Sequence, residues 1–193
     1  MKLILDIETK PNEKLVDIWK NKLSVPKTYK KPDVIKRWYG IQLKDAHKKM
    51  SVDTDYLEIK YIGIKEVGKE ARIVDINELR EILDTNMVHL ITYNGKNFDV
   101  PAIIKTGIKE GIKFPYQWLR EAQKRHSDNH TDLFDLINLY GQYKSLDELL
   151  QIYCGISKTP IDFQCCTDEE LKKHCLEDLV NTEKLYKKFS VLL

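Results

Sequence analysis

Asp6 and Glu8 stand two residues apart, just after the apolar run Leu3-Ile4-Leu5. In a strand successive side chains alternate between faces, so both carboxylates share one face and Ile7 points to the other. Two like charges side by side on a half-buried strand repel, and a divalent cation is the usual means of offsetting them. Two more carboxylates sit where packing gives no reason for them. Asp99 opens a helical segment running to about Lys109 and shares its apolar side, in the first turn, where the helix dipole favours negative charge. Capping is the competing role for Asp99, although Asn97 can also serve as the cap. Asp178 lies within the stripe Leu171, Cys175, Leu179, Thr182, Leu185, Tyr186 and Phe189 of a helix expected from the Thr167 capping box to about Phe189. An unpaired carboxylate there neutralises or loses several kcal/mol to desolvation. His174, one turn earlier, points the same way. A buried ion pair or a loop amide would satisfy Asp178, and so would a metal.

Asp6, Glu8, Asp99 and Asp178 are too many carboxylates for one salt bridge. They suit two hard divalent cations, Mg2+ or Mn2+, about 3.5–4 Å apart, the arrangement used for in-line phosphodiester cleavage. His174 beside such a centre can take or orient the proton of a water, since imidazole titrates near working pH.

The elements that must position these groups follow from periodicity and breakers. A strand ends at Pro11, and a helix is expected over 13–23 and one or two more over 32–50, with Gly40 the weak point. Strands over 56–65 and 71–75 flank a turn at Gly68, a short helix spans 77–83 and a strand spans 88–93. Helices are then expected over 116–125 and 132–140, the latter closed by Gly141, with 126–130 a polar loop between them. In this reading Asp132 and Asp135 are first-turn charges, while His126 and His130 face solvent or hold loops, His130 having some claim on the acidic site. Ser145 opens a further capped helix ending near Gly155. The fold class is α/β: a mixed sheet flanked by helices, in one domain over 1–193, with a basic, largely helical insertion over 11–55.

The 32 Lys and Arg against 30 Asp and Glu leave a net +2, which by itself says little about partners. The distribution is more informative: residues 20–49 hold ten Lys or Arg against Asp33 and Asp45 alone. That is a candidate phosphate-backbone surface beside an acidic centre. No apolar run reaches membrane-spanning length, the amino terminus enters a strand without a secretory core, and the four cysteines form no C-x-x-C. These features predict reduced thiols in a cytoplasmic protein.

Three segments carry a family resemblance. Asp6-Ile7-Glu8-Thr9 resembles the Asp-x-Glu motif of the DEDD, or DnaQ-like, 3'-5' exonuclease superfamily. Tyr93-Asn94-Gly95-Lys96-Asn97-Phe98-Asp99-Val100-Pro101 is similar to its second motif. His174-Cys175-Leu176-Glu177-Asp178-Leu179-Val180-Asn181-Thr182 is similar to its third. Within the superfamily the chain most resembles stand-alone relatives of the exonuclease domain of family B DNA polymerases. One departure concerns His174, which occupies the spacing where the tyrosine subclass has Tyr; the histidine subclass places its His one residue earlier.

The resemblance implies a ribonuclease-H-like fold and stepwise hydrolysis from a 3' end, with single-stranded DNA the expected substrate. It implies Asp6, Glu8, Asp99 and Asp178 as metal ligands and His174 as base or water-orienting group. Thr9, Asn94 and Phe98 would lie near the terminal nucleotide, Phe98 stacking on it or packing in the core. Lys36 and Arg37 would grip the strand and Trp38 stack on a base. A separate replication or repair protein is the expected partner. An endonuclease or resolvase on the same fold, or a non-catalytic nucleic-acid-binding module, are the competing functions.

Overall fold

The structure, a computed structural model, describes residues 1–85, 87–122, 124, 127–137, 143–163 and 165–192. Its centre is a sheet of five strands: β1 (Lys2–Pro11), β2 (Leu57–Glu66), β3 (Ala71–Val74), β4 (His89–Thr92) and β5 (His130–Asp132), in the order β3-β2-β1-β4-β5. The β1–β2 and β2–β3 pairs are antiparallel, and the β1–β4 and β4–β5 pairs are parallel. The result is the mixed sheet expected of the sequence.

Alternation along β1 divides the core. Leu3, Leu5 and Ile7 face a layer built from α4 (Ile76–Thr85), α5 (Asp99–Glu110) and α6 (Tyr116–Ala122), where Leu79, Val100, Ile103 and Trp118 are buried. Ile4, on the opposite face, packs with Ile91 and with Leu149, Leu150, Leu179 and Leu185 of α8 (Leu146–Cys154) and α9 (Asp168–Phe189). Each such aliphatic side chain contributes about 1.5–3 kcal/mol on burial, and together they hold the two layers to the sheet. By the same alternation Asp6 and Glu8 face α9.

The insertion comprises a 3-10 turn at Glu13–Leu15, then α1 (Val16–Asn21), α2 (Pro32–Lys44) and α3 (Ala46–Ser51). Trp19, Ala46 and Met50 form a small core of their own, whereas no residue of α2 is buried. The first expected helix is thus a 3-10 turn followed by a short helix. The break in the second falls at Asp45, not at Gly40. Gly40 lies on an open face, where an added Cβ would meet nothing within 4 Å and the helix penalty of about 1 kcal/mol is tolerable.

The other departure is β5. His130-Thr131-Asp132 is polar and shows no apolar alternation, so periodicity assigns the histidine to a loop and Asp132 to a helix. In the structure His130–Asp132 pairs with β4 and the helix α7 begins one residue later (Leu133–Ile137). His130 is buried, its Nε2 2.9 Å from Thr92 Oγ1, and so braces the sheet. His126 and the expected stop at Gly141 lie outside the described residues.

Candidate active site

Three features bring the carboxylates to one end of β1. The β1–β4 pairing covers only Lys2–Ile4, so beyond it the β4 side of β1 is open. Asp99 enters that gap from the first turn of α5: its Oδ1 accepts the Ile7 backbone N–H at 3.0 Å. Asp99 is therefore a tie between α5 and the strand that carries the other two acids. The second feature is an irregularity between Glu8 and Thr9, where the β1–β2 register shifts and the strand bends. The third is α9, opened by the expected Thr167–Glu170 capping box, which lies against β1 and β2. Its close approach depends on Gly63, the cross-strand partner of Asp6: a Cβ there would stand 2.6 Å from Cys175 Sγ and 2.8 Å from Leu179 Cδ1.

The four acids share one electrostatic environment. Burial pushes the Asp6 carboxyl well above the usual range, and Asp99, Asp178 and Glu8 push it further, with Lys158 opposing. Burial likewise raises Asp99 to about 7, against the Ile7 N–H, which favours the charged form, and with Asp132 and Glu8 adding to the rise. Glu8, Asp99 and Asp178 are all buried. Oδ2 of Asp6 and Oδ1 of Asp178 are buried atoms with no hydrogen-bond partner among the described residues. Buried carboxylate oxygens ordinarily find a donor or a cation.

His174 is buried on α9 with Nδ1 2.7 Å from Glu8 Oε1 and 3.9 Å from Asp178 Oδ2. An ionised Glu8 can only accept, so Nδ1 carries the proton toward it and Nε2 is left as the acceptor in the neutral ring. The Phe163 ring stands nearly perpendicular to this ring at a centroid distance of 5.3 Å. On the same side lies an open cleft of about 340 Å³ bordered by His174, Thr159, Asp162, Cys165 and Glu177.

Asn94 begins the loop that delivers Asp99. It has a left-handed φ of 63°, its N–H donates to Asp132 Oδ1 at 2.7 Å, and its Oδ1 accepts from Asn97 Nδ2 at 2.9 Å. Asp132 also accepts the N–H groups of Lys96 at 2.8 Å and Phe134 at 3.0 Å. Instead of being a first-turn charge, Asp132 is the buried acceptor on which the loop is wound. The competing capping role is not filled by Asn97 or Asp99: Phe98 precedes the helix and no side chain caps it. Phe98 is half-buried against the core layer that contains α5.

The Thr9 hydroxyl donates to the Ser51 carbonyl at 2.7 Å, fastening the insertion to the end of β1 just past Glu8. Lys36 and Arg37 are exposed on α2, and Trp38 is half-buried with its ring edge-on to Tyr39 at 5.0 Å. Among the described residues no hydrogen bond or ion pair joins these three to the carboxylates. Their link to the site runs through α3, which touches both α2 and β1.

One residue of the site escapes periodicity and motif alike. Lys158, in the segment between α8 and α9, places Nζ 2.5 Å from Asp178 Oδ2. This is the buried ion pair that an inward Asp178 allows. The signal available in the sequence was the demand of Asp178 for a partner, but nothing in Ser157-Lys158-Thr159-Pro160 reveals which way the lysine points. All four cysteines are free thiols. No described helix is long and apolar enough to cross a membrane.

A family model described as a predicted 3'-5' exonuclease related to the exonuclease domain of PolB matches residues 41–193. That span contains Asp99, His174 and Asp178 and begins after Asp6 and Glu8. Among solved structures the chain is similar to the family B DNA polymerase from the hyperthermophilic archaeon Pyrobaculum calidifontis, with a TM-score of 0.60 and 12% identity. The likeness covers 98% of this chain and 24% of the polymerase, and at that identity it is one of fold. No curated protein matches the chain. By its match over most of its length, the chain belongs to the family of predicted 3'-5' exonucleases related to the exonuclease domain of PolB.

Proposed function

We propose that this protein is a metal-dependent 3'-5' exonuclease that removes nucleotides from a free 3' end, preferentially of single-stranded DNA. The observation that carries the reading is the pair of buried, partnerless oxygens, Asp6 Oδ2 and Asp178 Oδ1, in a cluster with Glu8 and Asp99. As they stand, no three acidic, His or Cys side chains among the described residues are drawn together closely enough to hold a metal ion. The donors, all carboxylate oxygens, fit Mg2+ or Mn2+ in chemistry. Two such cations, when bound, supply an activated water and stabilise charge on the departing oxygen.

In this reading Asp6, Glu8, Asp99 and Asp178 are the ligands. His174, held by Glu8 through Nδ1, presents Nε2 to take or orient the water's proton. Thr9, Asn94 and Phe98 border the terminal nucleotide, while Lys36, Arg37 and Trp38 hold the strand behind it. The setting is the cytoplasm, with a separate replication or repair protein supplying damaged or mispaired ends.

The deciding experiment is degradation of 3'- and 5'-labelled DNA and RNA oligomers with Mg2+, Mn2+ or chelator, beside a circular substrate. Trimming from the 3' end that needs the metal and is lost in Asp6→Ala and Asp178→Ala is expected. Release from the 5' end would reverse the polarity, and cleavage of the circle would make the protein an endonuclease.

A further inference from the structure

The backbone of Lys158 is anchored beside the acidic cluster. Its backbone N–H donates to Asp147 Oδ1 at 2.7 Å, and Asp147 lies in the first turn of α8, so the segment is anchored at the residue itself. The side chain is only 19% exposed, and it reaches an Asp178 side chain that is 10% exposed. Its charge is also felt by Asp6. The ammonium satisfies Oδ2 of Asp178 and leaves Oδ1, with Oδ2 of Asp6, unpartnered among the described residues.

We propose that Lys158 is a built-in monovalent cation of this centre, which holds Asp178 while no divalent ion is bound and is displaced when one binds. The inference rests on the metal-centre reading above and adds to it. A divalent cation held by Asp6 and Asp178 would stand next to an ammonium already 2.5 Å from Asp178, and two positive charges that close repel strongly where water is scarce. The lysine is the mobile partner. Its flexible four-carbon stem and compact charge let the ammonium leave while the Asp147 bond keeps the backbone in place. An arginine fork would be harder to release, because it binds a carboxylate through two parallel bonds. Lys158 thereby prevents an uncompensated cluster in the metal-free protein, and it weakens the first binding of metal.

The displacement is read without measuring activity. With lysine labelled at 13Cε, the Lys158 signal, identified by its loss in Lys158→Arg, is expected to move in step with Mg2+ binding to the wild-type protein. A signal that stays fixed while Mg2+ binds overturns the proposal. Independently, Lys158→Met is expected to bind Mn2+ about tenfold more tightly by electron paramagnetic resonance, since a neighbouring like charge has gone. Unchanged or weaker Mn2+ affinity also overturns it. If wild type and Lys158→Met both fail to bind Mn2+, the metal centre itself is refuted.

Discussion

Gly63 stands directly across from Asp6 in the β1–β2 pair, and the side chain it lacks is the space filled by Cys175 and Leu179 of α9. The helix carrying Asp178 can therefore settle onto the strand carrying Asp6. Gly63→Ala would place a methyl group at 2.6 Å from one neighbour and 2.8 Å from the other. Overpacking of this kind costs about 1–3 kcal/mol. We expect a lower denaturation midpoint, lost nuclease activity, and partial recovery of both in Gly63→Ala/Cys175→Ala, all measurable by urea unfolding beside oligonucleotide degradation.

Stability without metal should fall as the pH rises. Asp99 releases its proton near 3.8 in the unfolded chain but at about 7 in the folded one. Between those values the folded state binds more protons, so its advantage is complete below the lower value and lost as pH climbs through the upper. Each unit of separation is worth about 1.4 kcal/mol. Asp6, raised in the same direction, adds to the trend. Asp99→Asn keeps an oxygen for the Ile7 N–H and removes the charge. The metal-free variant should be more stable than wild type at pH 8, by about 1–3 kcal/mol, yet inactive. Thermal unfolding from pH 4 to 8, with and without Mg2+, tests this. A flat wild-type profile in chelator would count against the buried-acid account.

Asp132 is where a fold-level acceptor controls the placement of an acid in the site. Removing it leaves the N–H groups of Asn94, Lys96 and Phe134 without their acceptor. Each buried donor left unpaired costs about 1–3 kcal/mol. Asp132→Ala is expected to lower the melting temperature and reduce the turnover rate, because the loop from Asn94 no longer delivers Asp99 to Ile7. Full stability with reduced activity would instead make Asp132 a direct participant.

The α2 surface predicts a salt signature. Lys36→Glu and Arg37→Glu alter exposed side chains on a helix with no buried residue, so folding should be little affected. If α2 grips the phosphate backbone, each reversal weakens binding and lowers the slope of log affinity against log salt by about one. An unchanged slope in a fluorescence-anisotropy titration removes α2 from the substrate path.

Much of this molecule was legible before its structure. The alternation of Leu3, Leu5 and Ile7 against Ile4 reads as a strand buried on both faces, and a period-2 pattern leaves Asp6 and Glu8 no choice but to share a side. The stripe of α9 puts Asp178 and His174 inward from spacing alone, and the Thr167 box marks where that helix begins. These are local facts, set by geometry within one element. What the chain alone could not decide is what meets across elements. The entry of Asp99 beside Ile7 depends on β1 and β4 parting after Ile4 and Ile91. The strand identity of His130–Asp132 depends on a neighbour to pair with, since those three residues carry no apolar signal. The choice of Lys158 as partner to Asp178 depends on a segment without periodicity, whose direction is set by the Asp147 anchor. Side-chain spacing dictates which face of an element a residue occupies; only the packed layers determine which charges from distant elements are brought together.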